Sequence, residues 1–231
     1  SVFKIKMDEK TCTKCGKWIE DVELIEPVSK ISGARPIIRD TTHFYLCLDK
    51  MQPLLEKFIR DKTYWKDNVK NFAFAWFKEG LGKRPITRDL SWGIPVPLEG
   101  WENKVLYVWF DAPIGYLSST VEWAEQIGQP ERWRDYWQDP DCKMIHFIGK
   151  DNIPFHIIVW PAILMGQYMD PEGTRVEHEH EFYVLPHNVP ANEHLNIEGN
   201  KLSTSTGNAV WVKEYCDLFP PDYLRYYLAY N

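Results

Sequence analysis

Cysteine is scarce. Five residues in 231, scattered and odd in number, exclude a disulfide scaffold and make a reducing cytoplasm the expected location. Long apolar runs are also missing: the longest, residues 157–165, holds nine residues and includes Pro161, against about twenty for a bilayer-spanning helix. A membrane span is thereby excluded. Basic charge is not in excess, since 27 Lys and Arg face 33 Asp and Glu for a net charge of −6. This argues against an indiscriminate nucleic-acid binder, while a local basic surface stays open. No fixed-period repeat or low-complexity tract occurs, so solenoids and propellers drop out. The opening residues, Ser1 to Lys6, include neither an initiator methionine nor a signal-peptide core, and the expectation is the middle portion of a longer protein.

What is present is the composition of a folded chain. Hydrophobic residues make up 44% and charged residues 26%, enough to build a core in one large or two modest domains. Aromatics reach 15% with eleven tryptophans, which predicts a large aromatic core or stacking pockets for planar ligands, core being the expected use of most of them. In residues 1–35 a Cys-x-x-Cys turn, Cys12-Thr13-Lys14-Cys15-Gly16, precedes a Gly33 turn and predicts a small knuckle on a β-rich piece. Over residues 49–78 apolar side chains recur at three- and four-residue spacing (Met51, Leu54, Leu55, Phe58, then Trp65, Val69, Phe72, Trp76). That period predicts two amphipathic helices ended by Gly80-Leu81-Gly82.

Beyond residue 100 the pattern changes to β-prone runs: residues 105–110 ending at Asp111, residues 144–148 ending at Gly149-Lys150-Asp151, and residues 182–185 before Pro186-His187. Continuous apolar runs predict doubly buried strands of a parallel sheet, with a covering helix over residues 155–165 that Pro161 kinks. In such α/β sheets ligands bind at the carboxyl ends of the strands. Asp111, Gly149, Lys150, Asp151 and His187 are therefore expected where chemistry sits.

The residues with the clearest chemistry are Lys201-Leu202-Ser203-Thr204-Ser205, set between Gly199-Asn200 and Thr206-Gly207. One cation and several hydroxyls in a Gly-bounded loop suit phosphate oxygens, although a solvated polar loop is the plain alternative. Gly149-Lys150-Asp151 reads either as a solvated turn or as a ribose and phosphate contact. Arg88 beside Asp89 reads as a surface ion pair. Cys12 and Cys15 have zinc-ligand spacing but make only half of a four-ligand site, so free thiols in a turn are as good a reading. Cys47, Cys142, Cys216 and His43 offer no paired neighbour.

The segment 201–205 resembles the Lys-Met-Ser-Lys-Ser loop of class I aminoacyl-tRNA synthetases, with Leu202 on the methionine and Thr204 on the second lysine. Together with Thr87-Arg88-Asp89, Trp92-Gly93-Ile94-Pro95-Val96-Pro97, Tyr107-Val108-Trp109-Phe110-Asp111-Ala112-Pro113-Ile114-Gly115-Tyr116 and His146 to His156, it is similar to the blocks of the methionyl-tRNA synthetase family, in the same order and over nearly the whole chain. The resemblance implies an α/β fold, the second half of a doubly wound (Rossmann-like) parallel sheet preceded by a connective domain with a zinc knuckle. It divides the chain into a connective region (1–84), the second half of the catalytic domain (85–194), and the signature loop with the start of a helical domain (195–231). It also implies ATP-dependent activation of methionine to methionyl-adenylate and transfer to tRNA(Met), by an enzyme whose His-Ile-Gly-His half is not in these residues, so that this chain alone is expected to be inactive. A non-catalytic tRNA- or partner-binding module derived from a synthetase is the alternative.

The same resemblance distributes roles. Trp109, Ala112, Pro113, Tyr116, Asn152, His156 and Trp160 fall on the methionine pocket, with Arg88 facing it toward a carboxylate of the first half; for Trp160 core packing is nearly as good a reading. Gly149, Lys150, Asp151, Leu195, Asn196, Ile197, Lys201 and Thr204 fall on the ATP site, and Lys201, Ser203, Thr204 and Ser205 on the catalytic loop. ATP with Mg2+ is implied as substrate, and Zn2+ as a structural ion at Cys12 and Cys15.

Overall fold

The computed structural model describes residues 25–29, 32–37, 40–170, 182–197, 199–202 and 207–230. Packing divides the chain into two units, Ser1–His43 and Phe44–Asn231. In the described part of the first unit the expected turn forms: the Gly33 N–H donates to Ser29 O at 2.9 Å, and Gly33 takes a positive φ of 69°.

The second unit opens with a helical pair. Strand β1 (Tyr45–Cys47) leads into α1 (Leu48–Arg60), and α2 (Asp67–Glu79) follows. The periodicity falls where it is expected: α1 buries Leu48, Met51, Leu55 and Ile59, and α2 buries Val69, Ala73 and Phe77. Gln52 ties the two together, donating from Nε2 to Phe77 O at 3.0 Å while its Oε1 accepts from the Leu81 N–H at 2.7 Å. One half-buried amide thus satisfies a helix-end carbonyl and the loop beyond it. Gly80, at φ 84°, makes the reversal possible. Strand β2 (Lys83–Pro85) then returns antiparallel to β1.

Strands β3 (Thr87–Arg88) and β4 (Val105–Leu106) pair antiparallel. The run 105–110, expected as one strand ending at Asp111, is strand only over Val105–Leu106, with Tyr107 still extended. The chain then turns into α3 (Val108–Asp111) and α4 (Ile114–Gln126), with Ala112 N–H bonded to Val108 O at 2.8 Å. A short apolar run does not distinguish strand from helix, and the partner strand here spans only two residues. A short α5 (Arg134–Trp137) follows.

The parallel pairing is present but shifted. β5 (Ile148–Gly149) pairs parallel with β6 (Ala191–Asn192), preceded by a bridge between Ile145 and Asn188. Residues 182–185, expected as the third strand, form none; the Val184 N–H instead bonds Trp137 O at 2.7 Å. His187 consequently precedes β6 instead of ending a strand, its carbonyl held by Tyr64 Oη and Trp65 Nε1. Nor is the 144–148 run covered on both faces: His146 is buried, whereas Ile145 and Phe147 are 47% and 78% exposed.

Between β5 and β6 the chain forms a 3-10 turn (Lys150–Asn152), a π-helical turn (Phe155–Val159) and α6 (Trp160–Gly166). The wide turn lies just ahead of Pro161, whose ring cannot fit against the carbonyl four residues back in a regular α-helix. A hairpin of β7 (Asn196–Ile197) and β8 (Asn200–Lys201), then α7 (Val212–Leu218) and α8 (Pro221–Tyr230), complete the described elements.

The main core joins α1 and α2 to Ile153, Ile157, Ile158, Ala162, Val189 and Ala191. Leu55 is fully buried in it and Leu54, its neighbour, is 41% exposed. Leu55→Ala is expected to cost about 3 kcal/mol in urea unfolding of the chain, and Leu54→Ala less than about 1 kcal/mol; equal costs would misplace this core.

Candidate active site

The π-helical turn carries Phe155 and His156 into contact with α3 and α4. Trp109, on α3, stacks on Phe155 with ring centroids 4.2 Å apart and planes 12° from parallel. Tyr116, one helix further, lies 2.8 Å through its hydroxyl from His156 Nε2, and His156 Nδ1 lies 2.9 Å from Asn152 O. A carbonyl only accepts, so Nδ1 carries the proton and Nε2 accepts from the Tyr116 hydroxyl. Burial pushes the His156 pKa below its ordinary value, opposed by the hydrogen bond to the Asn152 carbonyl.

Trp160, 1% exposed, meets Tyr116 edge-on at 6.3 Å on one side and Trp137 at 6.0 Å on the other. Trp160 is therefore core, and its ring touches Tyr116. Pro113 is buried at the α3–α4 junction beside the exposed Ala112. The Arg88 guanidinium lies over the Tyr107 ring at 4.0 Å and donates to Pro85 O and Thr87 O, while Asp89 pairs with Lys104 at 2.5 Å.

Three neighbours escaped the sequence reading of this cluster. Phe155 is 1% exposed beneath Trp109, and Arg84, 5% exposed, lies over the Phe155 ring. His146, 8% exposed, stands 5.2 Å from the Tyr116 ring and 5.3 Å from His156. Burial, with the neighbouring His156 adding, pushes its pKa down to about 4. No sequence pattern marked it, because residues 144–148 are apolar apart from His146 itself; only the structure turns 144, 146 and 148 inward and leaves 145 and 147 exposed.

A second group forms at the carboxyl ends of β5 and β6. Their register sets Gly149 opposite Asn192, and the next two positions also meet, Lys150 with Glu193 as an ion pair at 2.5 Å and Asp151 Oδ1 with His194 Nε2 at 3.3 Å. A Cβ placed on Gly149 would meet nothing within 4 Å, so this backbone faces open space. Leu195 and Asn196 lead directly into the β7–β8 hairpin, where Gly199 takes a φ of 78° and the Leu202 N–H returns to Leu195 O at 3.1 Å. Ile197 and Lys201 lie in its two strands. Ser203, Thr204 and Ser205 lie outside the described residues, as do Cys12 and Cys15. Among the described residues no group of three or more His, Cys, Asp or Glu is placed to hold a metal ion, and no helix is long and apolar enough to cross a membrane.

Comparison with known proteins gives one consistent result. Residues 4–231 match the model of the tRNA synthetases class I (M). The chain is 53% identical over 226 residues to the methionine–tRNA ligase of Rubrobacter xylanophilus, covering 94% of this chain and 38% of the relative. It is 51% identical over 231 residues to that of Salinibacter ruber, covering 94% and 30%. The chain thus spans about a third of the length of these relatives. In structure it resembles Mycobacterium tuberculosis methionyl-tRNA synthetase bound by methionyl-adenylate, with a TM-score of 0.64 and 24% identity over 87% of this chain and 35% of that one, a likeness of fold. The chain belongs to the family of class I tRNA synthetases (M).

Proposed function

We propose that this chain is the central part of a methionine–tRNA ligase, in which the carboxylate of methionine attacks the α-phosphorus of ATP, pyrophosphate leaves, and the methionyl group passes from the adenylate to the terminal ribose of tRNA(Met). The observation that carries this reading is the hydrogen-bonded series Tyr116–His156–Asn152 between Trp109 and Trp160. Aromatic walls and an uncharged imidazole suit a polarizable thioether, which gains from aromatic contact and needs no ion pair. Ala112 and Pro113 complete the wall, and Arg88 reaches toward a carboxylate outside this chain.

Gly149, Lys150 and Asp151, with Leu195, Asn196 and Ile197, border the nucleotide, in the position that strand ends give to ligands of doubly wound sheets. Lys201, Ser203, Thr204 and Ser205 meet the leaving pyrophosphate, and their help is positioning and charge stabilisation. Mg2+ enters with ATP, and Zn2+ is assigned to Cys12 and Cys15 as half of a knuckle in a connective region 1–84. The catalytic half-domain spans 85–194 and the signature-loop region 195–231, in a cytoplasmic enzyme.

In the full-length enzyme, Trp109→Ala is expected to weaken methionine binding by at least tenfold, about 1.4 kcal/mol, and ATP binding hardly at all; equal losses measured by equilibrium titration would refute the pocket. Lys201→Ala should slow adenylate formation by about 3–4 kcal/mol at saturating substrates, with methionine affinity nearly intact, and Thr204→Ala should cost less. An unchanged single-turnover rate for Lys201→Ala would remove the loop from the chemistry.

The pH dependence follows from the two buried histidines. Both are held neutral, so methionine affinity should stay flat through the range around 6.5 where an ordinary histidine titrates. Stability behaves differently. Below pH 6.5 the unfolded chain takes up the proton that buried His146 refuses, so stability falls by about 1.4 kcal/mol per pH unit toward about pH 4. His146→Phe should flatten that slope in urea titrations at successive pH values.

A further inference from the structure

Arg84 is a buried cation in a place no sequence pattern predicts. It stands on β2 opposite Leu46, 5% exposed. Its guanidinium lies over the Phe155 ring at 5.0 Å and the Tyr107 ring at 5.7 Å, and Tyr107 also carries Arg88 at 4.0 Å. Phe155 is in turn stacked on Trp109 at 4.2 Å. The contacts therefore run from a charged side chain, through one buried ring, to the tryptophan that the proposed function makes a wall of the methionine pocket.

A planar guanidinium is weakly hydrated and is drawn to the electron-rich face of an aromatic ring, more strongly where water is excluded. An aliphatic side chain of the same length could fill the space under Phe155 but would exert no such pull on its face. The ring's tilt and offset fix the plane that Trp109 stacks against. Shape matters unusually in such a pocket, because hydrophobic side chains differing by one methylene are separated only weakly by contact alone.

We infer that Arg84 is a positioning residue for the amino-acid pocket: by holding Phe155 it sets the plane of Trp109, and with it methionine affinity. This rests on the reading of Trp109 as pocket wall. Phe155 transmits the effect, and Arg84 itself meets no substrate.

The test uses the full-length enzyme labelled with fluorotryptophan, the Trp109 signal being assigned by its loss in Trp109→Phe. In Arg84→Met the Trp109 fluorine resonance should shift or broaden while that of Trp65, buried in the other core, stays in place. In methionine-dependent pyrophosphate exchange KM for methionine should rise about tenfold, with KM for ATP and kcat within about twofold. Arg84→Lys, which keeps the charge without the plane, should recover part of the loss. In a Phe155→Leu background, Arg84→Met should add less than about twofold.

An unmoved Trp109 resonance in Arg84→Met would overturn the inference, as would a full tenfold cost persisting without the Phe155 ring. If the unmutated enzyme gives no methionine-dependent exchange, the proposed function fails, and the Trp109 resonance still decides whether Arg84 positions that ring.

Discussion

The two core clusters of the second unit meet on a helical segment with no solvent face. Residues 153–162 are buried without exception, as expected of a helix apolar all round. Ile153, Ile157, Ile158 and Ala162 face α1 and α2, whereas Trp160 and Leu164 pack with Trp137 in a second cluster. Phe155 and His156 occupy the sector between and supply the site. The wide turn ahead of Pro161 makes this division possible, because one extra residue re-phases the helix between its two halves. A single run therefore couples folding to the geometry of the pocket, and little in its middle can change volume without moving a site residue.

Part of this was legible in the sequence. The two amphipathic helices follow from spacing alone, because each buries one stripe and exposes the rest, which is the pattern periodicity reports. Local spacing fails where partners decide the structure. Residues 105–110 are as β-prone as any in the chain, yet β4 ends at Leu106 because β3 offers only Thr87 and Arg88 to pair with. The partner of the 145–149 segment is Asn188 to Asn192, first as a bridge and then as β6, residues of mostly poor β-propensity that were passed over for the more apolar 182–185. Propensity there was overridden by tertiary context. Arg84 was invisible for a related reason: an arginine between Lys83 and Pro85 looks like a surface turn, and only the return of β2 against β1 carries it over Phe155.

The register of β5 and β6 has a chemical consequence. Parallel pairing that sets Gly149 against Asn192 must bring Lys150 to Glu193 and Asp151 to His194 one and two steps later. The strand ends thus present polar groups already partnered across the register. Lys150 donates a hydrogen bond to Glu193 and holds that carboxylate's pKa below its ordinary value. Both groups are exposed at the rim, where an ion pair is worth about 0–1 kcal/mol, so a polyphosphate arriving at the strand ends could draw Lys150 away from Glu193 at little cost. The pair stores the lysine in a defined place without committing it.

Near the proposed amino-acid pocket the opposite condition holds. His146 and His156 are uncharged because burial disfavours their cations, and the Tyr116 hydroxyl has given its only proton to His156. What remains there is the acceptor lone pairs of Tyr116, the buried ring nitrogens His146 Nε2 and Trp160 Nε1, which have no hydrogen-bond partner among the described residues, and aromatic surface. Apart from the Arg88 that the proposed function places there, this lining offers no counter-charge, so entry of a cationic side chain would carry an uncompensated desolvation cost. It has no comparable means of rejecting a near-isosteric apolar side chain, where one methylene is worth about 1–3 kcal/mol. Homocysteine tests that limit most directly: it lacks only the terminal methyl, and its thiol can donate to the lone pairs that Tyr116 leaves free. Discrimination against it must therefore rest on how tightly the rings around Tyr116 are held in place, which makes the rigidity of the buried stack a chemical requirement as well as a packing one.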